Sequence, residues 1–242
     1  MRDDMPPVRD YGRDDDLIRA VLQDGRPRAR TYAATEIELV LGRGSRPEHE
    51  LNLAAVLADG VPVSRRPGGG CAVLLDPGNA VVALALPSKE IGGLRAHFAR
   101  LTAWMIDGLR AIGIDGLRHE GTSDLALGDR KVGGACLYQT RGALFYSTTL
   151  LVEPRLELME RYLPMPPREP GYRRHRGHRE FVGDLRAVGV ASAVDLVGRL
   201  ERVLVGRAAE KWGPLETRLG RDSIPDLKRE SGPPEGQAAT RS

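Results

Sequence analysis

Cysteine is nearly absent from this 242-residue chain, which holds only Cys71 and Cys136. Two cysteines cannot make a disulfide framework, and no apolar stretch of signal-peptide type follows Met1, so the expected compartment is reducing and cytoplasmic. Long hydrophobic runs are missing as well. The longest, residues 80–86, falls far short of the roughly 20 residues a membrane-spanning helix needs, so no membrane partner is expected. Aromatic residues make up 5% of the chain, leaving few rings to stack on nucleic-acid bases. Asparagine occurs only at Asn52 and Asn79, and only four of the 36 basic residues are lysines: Lys89, Lys131, Lys211 and Lys228. Arginine standing in for lysine wherever the surface tolerates either accounts for that trend. The surviving lysines and asparagines then mark positions where chemistry or turn geometry resists exchange.

What is present supports one sizeable core. The chain is 41% hydrophobic and 29% charged, too apolar for a disordered polymer, and its length suits one domain with decorated ends. A net charge of +3 is a weak argument for a nucleic-acid partner. Residues 1–14, charged and holding Pro6, Pro7 and Gly12, read as a flexible N-terminal arm. Residues 15–212 read as the folded domain, and 213–242, rich in Gly, Pro and charge, as a disordered tail. Within the domain, helices are expected over 16–23, 48–59, 94–112, 155–162 and 192–212, and strands over 36–42, 123–127, 131–138 and 143–152. Residues 71–75 and 80–86 are apolar and β-favouring, and the turn Asp76-Pro77-Gly78-Asn79 between them predicts a tight hairpin. Leu94, Phe98, Leu101, Met105, Leu109 and Ile112 recur at helical spacing and form a stripe for the core. Irregular alternation of strands and helices points to an α+β fold with a mixed, largely antiparallel sheet flanked by helices.

Two stretches can carry chemistry. In Arg65-Arg66-Pro67-Gly68-Gly69-Gly70-Cys71 three glycines let main-chain N–H groups approach a ligand, and two arginines add charge suited to phosphate or carboxylate. A plain Gly-rich turn with solvated arginines is the alternative. The stretch lacks the Gly-Lys-Ser/Thr of the phosphate loop and precedes a strand, unlike the dinucleotide fingerprint. In Gly128-Asp129-Arg130-Lys131-Val132-Gly133-Gly134-Ala135-Cys136 a rare lysine sits among small residues, where a narrow pocket can form around its ammonium and stabilise an anion. His175 and His178 have a spacing that could ligate metal, yet no Cys or carboxylate pair accompanies them, so no metal site is assigned.

Together these stretches resemble the lipoate–protein ligase family. Residues 65–79 are similar to its Arg-Arg-x-Ser-Gly-Gly-Gly-x-Val-x-His-Asp-x-Gly-Asn signature. Asp124 followed by Gly128-x-Arg-Lys-Val-x-Gly134 is similar to its Asn-Asp and Gly-x-Lys-Ile-x-Gly elements, and residues 141–151 and 172–182 resemble later segments. The resemblance runs from about residue 30 to about residue 205 in the family's order. It implies a fold shared with biotin protein ligases, with substrate in a tunnel roofed by the Gly-rich loop. It also implies a reaction in which lipoate or octanoate attacks ATP, with Mg²⁺, to give an acyl-adenylate that acylates a lysine of a lipoyl carrier domain. The carrier would belong to a dehydrogenase complex or a glycine cleavage protein. Lys131 would contact the carboxylate and the α-phosphate as the catalytic group. Arg65, Arg66 and the amides of Gly68, Gly69 and Gly70 would hold the nucleotide, and Asp124 would contact adenine or Mg²⁺. Cys71, Asp76, Asn79, Gly133, Gly134 and Ala135 complete the implied binding set.

The sequence departs from the family pattern at Gly68 (Ser), Cys71 (Gly), Leu75 (His), Ser123 (Asn) and residues 146–149 (His-His-Gly-Thr). The extra C-terminal domain of some such ligases has no counterpart here; a small accessory subunit would supply it, or the reaction does without. Related octanoyltransferases transfer acyl groups without ATP through a cysteine thioester. Their cysteine positions, near 115–121 or near 165, hold no cysteine here, which favours the ligase. Cys136, five residues beyond Lys131, or Cys71 would carry the thioester in that rival reading. A nucleic-acid-binding module built on the Arg-rich 168–179 segment is the alternative of another class.

Overall fold

The computed structural model describes residues 5–89 and 91–212, together with the backbone of 216–217. The chain opens with β1 (Val8–Asp10) and α1 (Asp15–Asp24), followed by β2 (Arg28–Ala33) and β3 (Glu38–Leu41). Next come α2 (Pro47–Glu50), α3 (Leu53–Asp59), β4 (Val63–Arg65), β5 (Val73–Leu75) and β6 (Asn79–Ser88). Helix α4 (Leu94–Ala111) leads into β7 (Leu117–Glu120), β8 (Asp124–Leu127), β9 (Arg130–Thr140) and β10 (Gly142–Leu151). The last elements are α5 (Leu156–Tyr162), α6 (His178–Phe181), α7 (Ala193–Trp212) and β11 (Glu216–Thr217). No helix among the described residues is long and apolar enough to cross a membrane.

Two sheets share the strands. The larger has the order β11-β2-β6-β10-β9-β8-β7 and the smaller β1-β4-β3-β5. All pairs from β2 through β7 in the large sheet are antiparallel, the mixed α+β arrangement expected. One face of this sheet is the main core: Leu84, Leu137, Leu144 and Tyr146 meet Leu101, Met105 and Leu109 of α4 and Leu196 and Leu200 of α7. Strand alternation turns the intervening residues to the opposite face, where α1 and the small sheet lie. Helix α1 carries Asp15 and Asp16 in its first turn, buries Leu17 and Val21, and ends at Gly25, whose φ of 70° a residue with a Cβ adopts poorly. Leu17 and Val21 then cover Ala83, Ala85 and Phe145 on the sheet.

Three sequence expectations change. The segment 71–86 is no hairpin: β5 pairs with β3 in the small sheet, while β6 pairs with β2 and β10 in the large one. Its Pro-Gly turn is a corner between sheets, held because Val152 and Glu153 both donate to Gly78 O (3.0 Å) and a Cβ at Gly78 would lie 1.9 Å from Glu153 O. The helix expected over 48–59 breaks at Leu51, which is extended, because Asn52 N donates to Tyr162 O (2.8 Å) and the Asn52 side chain accepts from Ala55 N to start α3. In the presumed arm, Val8–Asp10 pairs in parallel with β4, and Tyr11 N donates to Arg65 O (3.0 Å). Most of the tail expectation, 213–242, lies outside the described residues, apart from the backbone of Glu216 and Thr217 beside β2.

Candidate active site

Between the large sheet and the small one lies a cavity of about 1090 Å³. Its floor is a register row across the large sheet: Tyr32 on β2 faces Val81 on β6, which faces Thr149 on β10, then Gly134 on β9, then Asp124 on β8. Register partners point their side chains to the same face, so this row is continuous. Its four interstrand steps span about 19 Å.

A bulge arranges the Lys131 end of the row. Leu125 pairs with Gly133 and Ala126 with Lys131, so Val132 is the extra residue on β9. Side chains alternate along a regular strand, and the inserted residue shifts the phase by one. Lys131, Gly134 and Cys136 therefore line the cavity while Val132 enters the core behind it. Lys131 Nζ lies 2.8 Å from Asp124 Oδ1, and Tyr172 OH donates to Asp124 Oδ2 (3.0 Å). Burial, and then Asp124, hold the Tyr172 phenol far above its usual range, so it stays a donor. A Cβ at Gly134 would lie 3.0 Å from Lys131 Nζ, so the missing side chain gives the ammonium its lane.

The Gly-rich segment roofs the cavity, and its arginines hold it there. Arg66 Nη1 donates to Val40 O (2.9 Å), and Nη2 donates to Gly69 O (2.8 Å) and Cys71 O (2.9 Å). Arg65 Nη1 donates to Gly42 O (2.9 Å) and Ser45 O (2.8 Å). Gly42 lets two loops meet, since a Cβ there would lie 1.9 Å from Gly70 O. Glu50, buried, accepts from Ala72 N (2.6 Å) and Ser45 Oγ (2.9 Å), which pins the far side of the roof.

Of the expected site residues, Arg66, Gly69, Gly70, Cys71, Asp124, Lys131, Gly134, Ala135 and Cys136 line the cavity. Five do other work. Arg65 braces the roof from outside, and Gly68 packs on Cys136, whose Sγ would lie 2.9 Å from a Cβ at 68. Asp76 and Asn79 are wholly buried in the corner: Asp76 accepts from Gly78 N (2.7 Å) and Arg155 N (3.1 Å), and Asn79 Oδ1 accepts from Asp76 N (3.2 Å). Gly133 lets β9 lie against β10, where a Cβ would lie 2.9 Å from Thr149 O.

Metal chemistry finds no cage. Both oxygens of Asp124 are committed, and among the described residues no three His, Cys, Asp or Glu side chains converge. The donors present therefore do not fit a protein-held Mg²⁺, which takes oxygen ligands in near-octahedral geometry. His175 pairs instead with Glu169 (2.6 Å), and His178 Nε2 lies 3.0 Å from Leu163 O. The thioester reading gains no support from the two thiols. Burial pushes the Cys136 thiol up, away from the thiolate that would attack, and Cys71 Sγ donates to Arg168 O (3.7 Å). Three arginines of the Arg-rich segment are taken up by the protein itself, whereas Arg168 and Arg174 stay exposed. Arg173 is buried over the Phe181 ring (4.8 Å), Arg176 pairs with Asp129 (2.8 Å) and Arg179 with Glu160 (2.7 Å).

Sequence reasoning missed Asp14 and Arg173, which line the cavity, and Tyr172, which holds Asp124. Tyr172 and Arg173 come from a short 3₁₀ turn, Gly171–Arg173, and stand beside the Lys131 end. Asp14, on the supposed arm, is 4% exposed and lines the cavity with Tyr11. The quoted segment beginning at Tyr172 was a signal for the first two; nothing in the local pattern singled out Asp14.

Residues 10–199 match the family described as the lipoyl protein ligase A/B catalytic domain. A protein of Aeropyrum pernix with a provisional lipoate-protein ligase A name is 36% identical over 114 residues, 47% of this chain and 42% of its own. The chain spans about two fifths of the length of the curated relatives it matches. A solved structure of lipoate-protein ligase A bound with ATP superposes with a TM-score of 0.69 at 20% identity, over 88% of this chain and 82% of the other. A bi-partite lipoate protein ligase of Thermoplasma acidophilum, described with its E2 lipoyl domain, superposes with a TM-score of 0.67 at 20% identity, over 92% and 88%. At these identities the solved structures share the fold.

Proposed function

This chain belongs to the lipoyl protein ligase A/B catalytic domain family, and from that premise we propose that it activates a lipoate-type carboxylic acid with ATP and passes the acyl group to a lysine of a lipoyl carrier domain. The observation that carries the reading is the ammonium of Lys131, aimed into the cavity and oriented by Asp124 at 2.8 Å. In the first step a carboxylate oxygen attacks the α-phosphorus, the bond to the β-phosphate oxygen breaks and pyrophosphate leaves. Both reactants are anions, and a fixed cation between carboxylate and phosphate lowers the cost of bringing them together. In the second step the carrier's lysine amine attacks the acyl carbonyl. The anhydride C–O bond breaks, AMP leaves with the electron pair, and the amine gives up a proton as the amide forms.

The roof amides of Gly69 and Gly70 and the buried Arg173 are the further groups suited to phosphate oxygens. Asp124 serves as the positioning residue for Lys131, and Tyr172 holds Asp124 in turn. The bi-partite relative's description with an E2 lipoyl domain supports a carrier of that kind as acceptor, and a small accessory subunit as a second partner. The test is reconstitution: purified chain with apo lipoyl domain, given lipoate and ATP in one arm and an octanoyl carrier protein without ATP in the other. ATP-dependent modification of the domain is the expected result. Acyl transfer in the second arm alone overturns the adenylate reading.

A further inference from the structure

Asp14 stands where the floor row ends on β2. Its Oδ2 accepts from Tyr32 OH (3.3 Å), and since Tyr32 has one proton, Tyr11 OH donates to Tyr32 OH (2.9 Å). No protein donor makes a hydrogen bond to Asp14 Oδ1. Arg30 Nη1 approaches it only to 3.5 Å, because that guanidinium is held by Asp16 (2.5 Å) and by the Arg13 carbonyl (2.6 Å). The surrounding wall is apolar: Ala34, Val40, Leu75 and Val81 pack with the two tyrosine rings. A carboxylate oxygen this buried and this poorly partnered destabilises the folded chain relative to a satisfied one. Asp14 is among the residues lining the cavity, and because Oδ1 itself is sealed from water, a ligand's donor reaches it only by displacing a neighbouring side chain.

We propose that this end of the cavity selects the acyl substrate by its distal terminus, favouring a medium-length carboxylic acid whose far end carries an O–H or S–H donor over the same chain ending in methyl. The inference rests on the reading of the cavity as an acyl-adenylate site, with the carboxylate at Lys131. From there the chain runs along the row, over Gly134 and Thr149 and past Val81, toward Asp14 and Tyr32. The terminal donor then bonds Asp14 Oδ1. Octanoate and the oxidised dithiolane form of lipoate have no such donor; 8-hydroxyoctanoate and the dithiol form of lipoate do.

Calorimetric titration of these four acids into the full chain, and into Asp14→Leu and Asp14→Asn variants checked for cooperative melting, tests the inference. The wild-type chain is expected to bind the donor-bearing acids about tenfold tighter than their donor-free counterparts, the equivalent of one hydrogen bond to a charged group. The ratio should fall to near one in Asp14→Leu, and to an intermediate value in Asp14→Asn, which keeps a neutral acceptor. The hydroxy and dithiol arms separate oxygen from sulfur as the preferred donor. Equal affinities in the wild-type chain, or a preference that survives Asp14→Leu, overturn the inference while leaving ATP-dependent ligation standing. Failure of all four acids to bind a folded wild-type chain overturns the acyl reading of the cavity itself, and this inference with it.

Discussion

Asp124 ends a row across the sheet, Asp14 stands beside Tyr32 at its other end, and the partners of the two carboxylates differ. Asp124 has Lys131 at 2.8 Å and Tyr172 at 3.0 Å, one group for each oxygen. Asp14 has Tyr32 at 3.3 Å for one oxygen and, for the other, an arginine at 3.5 Å that is engaged elsewhere. The first carboxylate orients a cation. The second is a buried charge with an unmet need, and burial lifts its carboxyl to about 6 despite Arg30. The cavity therefore has one end whose carboxylate is fully partnered and another whose carboxylate has a partner still to gain.

The sharpest break of that contrast is at the cation itself. Lys131→Met should lower the ATP-dependent lipoylation rate by about a thousandfold, measured with the variant's melting curve close to wild type. Next comes Asp124→Asn, which leaves Lys131 in place but loosely held. A loss of about ten- to hundredfold in kcat, with destabilisation of about 1–2 kcal/mol, is expected in steady-state assays and urea melts. The same substitution at the other end should have the opposite sign. The Asp14 carboxyl titrates near 6 when folded, against an ordinary value of 3.8. The folded chain therefore binds more protons than the unfolded one between those values, and it loses stability as pH rises through that window. Asp14→Asn removes the penalty: it should stabilise the chain by about 1–2 kcal/mol at about pH 8, below a ceiling of about 3, and lose that advantage below about pH 4. A pH series of melting temperatures checks this, and a gain that grows on acidification would refute it.

Between the two ends, Gly68→Ser should cost about 1–3 kcal/mol by driving a Cβ into Cys136, and Cys136→Ala should recover much of it in a double-mutant cycle. Away from the row, Arg186→Ala breaks an exposed pair with Glu153 and should change stability by well under 1 kcal/mol.

The Lys131 end was legible in the sequence because its chemistry is local: lysine, glycines and an upstream aspartate lie within about a dozen residues and match a family pattern. Asp14 was not, because its burial depends on β2 and the small sheet, whose strands lie far from it in sequence. The hairpin misreading has a similar cause. Pro77 and Gly78 signal a turn faithfully, but a turn signal does not say whether the next strand returns to the same sheet. Asp76 and Asn79 were drawn into the site by motif and prove to be buried groups holding that corner. Asn52, one of only two asparagines, earned its place by breaking a helix that periodicity alone would continue.

Both tryptophans, Trp104 on α4 and Trp212 on α7, meet edge to face at 5.3 Å on the side of the large sheet away from the cavity, while Tyr11 and Tyr138 line the cavity itself. The molecule is thus colour-coded for spectroscopy. Indole emission reports the docking of two helices and stays quiet when a ligand enters, and the phenols of Tyr11 and Tyr138 respond to the cavity. A ligand that shifts the tyrosine signal without touching the tryptophan signal has entered between the sheets; one that moves both has loosened the helices behind them.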